Sequence, residues 1–300
     1  MKSKSRYLLA AFLSFAIWGF FAIPLRNLKA FPSEEILYYR IFASLIVIWI
    51  SILLFRRKYL KQDISYFKSA LPKEKRIIVL QIVGATILLM LNWYTYIYAV
   101  NNVSIKSAAF AYMVCPLITA FGGYIILKEK LSTVQLASLG IAFISIIMLA
   151  TGSLVEVTWS VVIAALYAFY LIIQRKMQNL DKLNVLATQI TLAVLLMLPF
   201  YLNHHEGFPT GLWFWSHIIT IAVVFTVIPL FLSLYALIGI PSSTLGIIIY
   251  INPIIAFAVA VLYFKEKIDI HQFVSYLLLL FAVFLFNWNL IKDIFIFKRK

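Results

Sequence analysis

The sequence predicts an all-α integral membrane protein of ten transmembrane helices, built as two inverted five-helix repeats over residues 1–150 and 151–300. Three observations lead to that fold. Hydrophobic residues make up 64% of the chain and charged residues 12%, a balance that places it in the membrane class. Apolar runs of about 20 residues, enough to cross a hydrocarbon core of roughly 30 Å, recur from end to end. Two of these runs close on the same triplet, Lys-Glu-Lys, at 128–130 and 265–267, which is 137 residues further on.

The ten spans lie near 7–26, 36–55, 77–100, 104–126, 133–150, 155–174, 184–202, 213–237, 241–264 and 270–291. Helices suit all of them, because a strand open to lipid leaves backbone groups unpaired. The ten-residue alternating segments of a barrel are absent. The first span opens on Lys2, Lys4 and Arg6 as a signal peptide would. It has no small-residue cleavage motif, so it reads as a retained helix. The longest loop, 56–76, repeats Leu60, Ile64, Phe67 and Leu71 at helical spacing among Arg56, Arg57, Lys58, Lys61 and Lys68, with Pro72 closing the run. That pattern predicts a short helix at about 58–71 on the membrane surface, with a solvated basic loop as the alternative. Gly84, Gly122, Gly123, Gly140 and Gly246 are expected to allow close helix contact.

The net charge of +15 suggests nucleic acid at first, but its placement argues for membrane topology. With the N-terminus placed in the cytoplasm, 20 Lys and Arg fall on the cytoplasmic side and 5 on the other, while Arg40 lies inside a span. An asymmetry of that size across short loops predicts that both termini are cytoplasmic. Cys115 is the one cysteine and sits within a span, so no disulfide forms within the chain.

Positions 98–138 and 235–275 share nine identities in 41 without a gap. The matches include Tyr98-Ala99 with Tyr235-Ala236, Pro116 with Pro253, Gln135 with Gln272 and Ser138 with Ser275. Five spans, an odd number, separate the copies, so the repeat is inverted, the plan on which many secondary transporters are built.

Pro116 and Pro253 fall near the middle of spans four and nine. Each removes a backbone hydrogen bond at mid-depth, and paired interruptions of this kind point to a solute site; an ordinary packing kink is the alternative. Tyr112, Tyr250 and Asn252 stand beside the prolines. Asn92-Trp93 is a polar and aromatic pair in span three, and Asn92 serves either the site or helix–helix bonding. Arg40 is the one charge well inside a span. Burying it is costly, which suggests a role in the solute path as an anion or carboxylate contact, or a structural pairing with Glu34 or Glu35. Trp18, Tyr167 and these residues form the expected wall of a site between the halves. Aromatic walls with a few amides suit an amino-acid-like or aromatic, drug-sized solute.

No Asp, Glu or His lies at the centre of a span, so a buried proton relay is not evident. Metal-ligand clusters, nucleophile triads, Walker loops and dinucleotide fingerprints are missing, and no catalytic residue, metal or cofactor is expected. The expected partners are a small-molecule solute and the lipid bilayer, with no nucleic acid; monomer and homodimer both remain open. The alternative to a permease is a membrane-embedded enzyme acting on a lipid or isoprenoid carrier, which would need a polar catalytic cluster.

The stretches "IWGFFAIPLRNL" at 17–28, "SEEILYYR" at 33–40, "NWYTYIYAVNN" at 92–102 and "STLGIIIYINP" at 243–253 resemble the RarD branch of the drug/metabolite transporter superfamily, made of EamA-type domains. The resemblance spans nearly the full chain. It implies ten helices in two inverted EamA repeats, a bacterial inner-membrane location and a permease of the chloramphenicol-sensitivity or chloramphenicol-resistance type. One position departs from the family pattern: Cys115 stands where Asn often precedes the first-half proline, while Asn252 keeps the second-half Asn-Pro.

Overall fold

The computed structural model describes residues 2–288 except 127, 129, 178, 205, 206, 237, 238, 241–244, 246 and 247, with backbone alone at 2–4, 175, 204 and 234. The described residues form helices α1 (Lys2–Gly19), α2 (Ala22–Asn27), α3 (Ser33–Phe55), α4 (Arg57–Ser69), α5 (Pro72–Tyr98), α6 (Ile105–Ile126) and α7 (Thr133–Gly152). They continue with α8 (Leu154–Lys176), α9 (Lys182–His204), α10 (Leu212–Ala222), α11 (Ile228–Ala236), α12 (Ile251–Ala258) and α13 (Ile270–Phe286). Three π-helical segments extend them: Ala99–Val103 after α5, Val223–Val227 between α10 and α11, and Val259–Tyr263 after α12.

Among the described residues, eight helical stretches are long and apolar enough to cross a membrane, and Ile251–Tyr263 and Ile270–Phe286 are shorter apolar helices. Each of the ten expected spans thus contains described helix, and positions 241–244, 246 and 247 of the ninth and 289–291 of the tenth lie outside the described residues. The chain is an all-α, multi-pass membrane protein. The helix surfaces agree with that solvent. On α3, Ile41, Ile48 and Ile52 are buried while Ile46, Ile50 and Leu54 are exposed, so both faces are apolar, as packing on protein and on lipid requires.

Repeat-matched residues perform matched local work. Ser132 caps α7, accepting from the Gln135 N–H at 3.3 Å, and Asp269 caps α13, accepting from the Gln272 N–H at 2.7 Å. Ser138 and Ser275 each donate to the carbonyl four residues earlier, at 2.7 and 2.9 Å. Among the described residues, Lys128 and Lys265 are the two non-glycine residues with positive φ, and both have a φ of 56°. The second triplet sits at the start of α6, where Glu266 accepts from the Ile105 and Lys106 N–H groups at 2.8 and 3.0 Å. Lys128 follows the other end of α6, 22 residues and about 30 Å away. The two triplets thus lie at opposite ends of the bundle. Glu129 and Gly246 are outside the described residues.

Three expectations need correction or refinement. Pro253 is the third residue of α12, not the middle of a continuous span. The first turn of a helix has no donor to lose, and the Ile249 carbonyl that Pro253 leaves free takes the Asn252 N–H at 3.2 Å. Pro116, by contrast, lies inside the unbroken α6. The surface helix exists as α4, and Leu60, Ile64 and Phe67 line a groove of about 590 Å³ with Ile82 of α5 and Leu192 of α9. Leu71 lies outside it, before α5, and its N–H donates to Glu74 at 3.1 Å. At Gly140 nothing lies within 4 Å of an added Cβ, so no close contact depends on it. At Gly19, unremarked in the sequence, a Cβ would come within 2.5 Å of Ile255 Cβ and 3.1 Å of the Asn252 carbonyl. Only glycine lets α1 approach α12 so closely.

Candidate binding site

α3 carries Arg40 two turns below its start at Ser33. The side chain is 4% exposed. Its guanidinium carbon lies 4.1 Å from the Trp93 ring centroid and 4.8 Å from that of Phe21. α5 supplies Trp93 and, one turn on, Tyr96 from the same face. The break between α1 and α2 supplies Phe21, which stacks on Tyr96 with centroids 5.7 Å apart and on Phe225 at 5.5 Å.

From Tyr96 the rings continue inward. Tyr112 of α6 lies 5.5 Å from Tyr96 and 5.8 Å from Tyr167 of α8, which stacks on Tyr170 at 5.6 Å. Six segments, α1/α2, α3, α5, α6, α8 and the π-helical turn before α11, therefore meet around one aromatic cluster. Pro116 deprives the Tyr112 carbonyl of its i+4 donor beside those rings. A crevice of about 320 Å³ between α2 and α10, lined by Pro24, Asn27, His217, Thr220 and Phe225, reaches the cluster from the end where α3 begins. Phe225, on its lining, stacks on Phe21, which in turn lies against the Arg40 guanidinium.

Two buried cations behave differently. Lys106, 6% exposed, donates to the Lys267 carbonyl and to Gln272 Oε1 at 3.1 Å. Arg40 has no acceptor at Nε or Nη1 among the described residues. Neither expected carboxylate serves it: Glu34 accepts from the Tyr94 hydroxyl at 2.8 Å, and the one salt bridge among the described residues joins Arg56 to Asp181 at 2.5 Å.

The structure gathers Arg40, Trp93, Tyr112 and Tyr167, with Trp18 beside them through its indole bond to the Phe225 carbonyl at 2.8 Å. Asn92 is fully buried and gives its amide to the Ile163 carbonyl at 2.9 Å, joining α5 to α8, while its Oδ1 has no partner among the described residues. Tyr250, Asn252 and Pro253 come from α12 and the turn before it; no ring contact among the described residues joins them to the cluster, but Tyr250 packs in the same core and shares Cys115 as a neighbour with Tyr112 and Tyr167. Tyr250 lies against Asn287, and the Asn252 carbonyl faces Gly19. Sequence reasoning missed Phe21, Tyr96 and Phe225. Tyr96 carried a usable signal, its position three residues after Trp93. Phe225 carried one as well, four residues before Pro229.

A polytopic helical membrane protein whose interior rings and cation converge beneath a crevice has the plan of a membrane transporter. The chain belongs to the EamA-like transporter family, whose profile matches residues 5–151 and again residues 154–288. It is 28% identical to Protein RarD of Streptomyces exfoliatus over 95% of this chain and 89% of that protein. It is 27% identical to the uncharacterized transporter YojE of Bacillus subtilis (strain 168), over 93% of each chain. Protein RarD of Escherichia coli (strain K12) is 26% identical over 95% of each chain. These relatives support the RarD branch of the drug/metabolite transporter superfamily. A solved crystal structure shares the fold with a TM-score of 0.62 and 13% identity, over 94% of this chain and 97% of that one.

Proposed function

We propose that this protein is a secondary transporter, not an enzyme, that moves a small metabolite or drug-like solute across a bacterial inner membrane by alternating access. The observation that bears most weight is the ring cluster beneath the α2–α10 crevice, which draws Phe21, Trp93, Tyr96, Tyr112, Tyr167 and Phe225 from both halves of the chain. Such a cluster gives a solute a broad apolar contact with few polar anchors. The duplicated caps and the shared φ at Lys128 and Lys265 support two inverted repeats, at residues 1–150 and 151–300, that exchange inward- and outward-open forms. Both termini are cytoplasmic in this reading. Trp18 and Pro116 shape the wall from α1 and α6, while Tyr250, Asn252 and Pro253 act where α12 packs on α1.

The test is flux in proteoliposomes. Labelled chloramphenicol and a panel of amino acids and aromatic metabolites are offered to purified full-length protein. At least one solute should enter saturably and faster than in protein-free vesicles. Tyr112→Ala, reconstituted to the same folded amount, should lower that flux about tenfold or more, corresponding to ~1.4 kcal/mol of lost solute contact. Uptake of the whole panel at the protein-free rate would overturn the transporter reading.

A further inference from the structure

A buried cation whose Nε and Nη1 find no acceptor among the described residues calls for an explanation, since Lys106, also buried, is given acceptors. Arg40 Nε and Nη1 are buried and unpartnered, and Glu34 is engaged by Tyr94. Phe21 and Trp93 lie over the guanidinium at 4.8 and 4.1 Å. With two rings packed against the guanidinium, its unpartnered N–H groups, which lie in its own plane, suit a planar carboxylate. Its neighbours Tyr96 and Tyr112 extend the aromatic surface away from the charge.

We propose that Arg40 is the anchor for the carboxylate of an aromatic monoanion, whose ring lies along Phe21, Trp93, Tyr96 and Tyr112. This assignment rests on the transporter reading for its biological sense and names the substrate class of that same site. One positive charge matches one negative charge. A phosphomonoester carrying two charges would leave one uncompensated in a low-dielectric interior. Chloride would satisfy the charge but would leave the ring surface unused. The bound carboxylate removes the burden of an unpaired guanidinium, so binding should also stabilise the protein.

The experiment compares benzoate with benzamide, which has nearly the same shape without the charge. Purified full-length protein in detergent is titrated with each, and with chloride, while tryptophan fluorescence and thermal unfolding are followed. Benzoate should quench saturably, raise the unfolding temperature and bind at least tenfold more tightly than benzamide, with chloride competing only weakly. Arg40→Gln should abolish the preference for benzoate, and Arg40→Lys should keep a weakened one. The comparison in the unmodified protein needs no variant to fold. Equal affinity for benzoate and benzamide, no binding of either, a benzoate site that chloride empties at equal concentration, or a folded Arg40→Gln protein that keeps the preference would each overturn the proposal. Benzoate binding without flux of any solute would uphold the anchor while removing the transporter reading. Unchanged flux through Arg40→Gln, with no preference for anions, would do the reverse.

Discussion

Pro229 has no amide hydrogen to return to the Phe225 carbonyl, and the Trp18 indole N–H takes that place at 2.8 Å. The exchange joins α1 to the second half of the chain next to the aromatic cluster. Ser14 strengthens the joint by donating to the Pro229 carbonyl at 2.7 Å. Trp18→Phe leaves the carbonyl unpaired and should destabilise the protein by about 1 kcal/mol, read from reversible unfolding in mixed detergent. Pro229→Ala restores a competing backbone donor, so Trp18→Phe should cost less than half as much in that background. An equal cost in both backgrounds would show that Trp18 acts through packing alone. Arg40 illustrates the limit of reading single residues. Its charge and depth were visible in the sequence, but whether a carboxylate met it was not, because that depends on α5 placing Tyr94 where it engages Glu34.

Helix ends show how the charged triplets work. The Glu266 carboxylate accepts from the first two N–H groups of α6, which would otherwise face the interior unpaired. The left-handed turn at Lys265 aims the glutamate there. Glu266→Ala should cost about 1–2 kcal/mol and speed hydrogen exchange at the Ile105 and Lys106 amides. Glu266→Gln keeps one acceptor and should fall between. If exchange at those amides does not change in Glu266→Ala, the cap does not hold the helix end. The matching φ at Lys128 was foreshadowed by the repeated Lys-Glu-Lys, since identical residues met identical backbone requirements. The π-helical turn at Val223–Val227 had no comparable warning, because π-helical and α-helical apolar sequence look alike.

Across the bundle, α6 alone separates the two triplets by about 30 Å, so single cysteines at their positions report on opposite membrane surfaces. In a Cys115→Ser background, a membrane-impermeant maleimide applied to intact cells should label Lys265→Cys and spare Lys128→Cys until the cells are permeabilised. The 20-to-5 distribution of basic residues sets that direction. Labelling of both positions from one side would remove the inverted repeat. α4 adds a fixture at the other end of the molecule: Asp63 accepts from the Asp181 N–H at 3.1 Å and from Asn184 at 2.6 Å, holding the surface helix against the start of α9.

Composition, span length and charge placement determined the membrane class, the ten helical segments and the surface helix, because each is a property of the chain read along one dimension. Repeated punctuation marked the two halves for the same reason. Those properties also singled out Arg40, Trp93, Tyr112 and Tyr167. Only the tertiary structure decided which of the nominated residues meet. In lipid both faces of a helix are apolar, so hydrophobic periodicity does not report how a helix is rotated. Rotation and close approach at Gly19 are what turn Asn92 toward Ile163, seat the Asn252 carbonyl against α1, and bring Phe21 and Trp93 onto the guanidinium of Arg40.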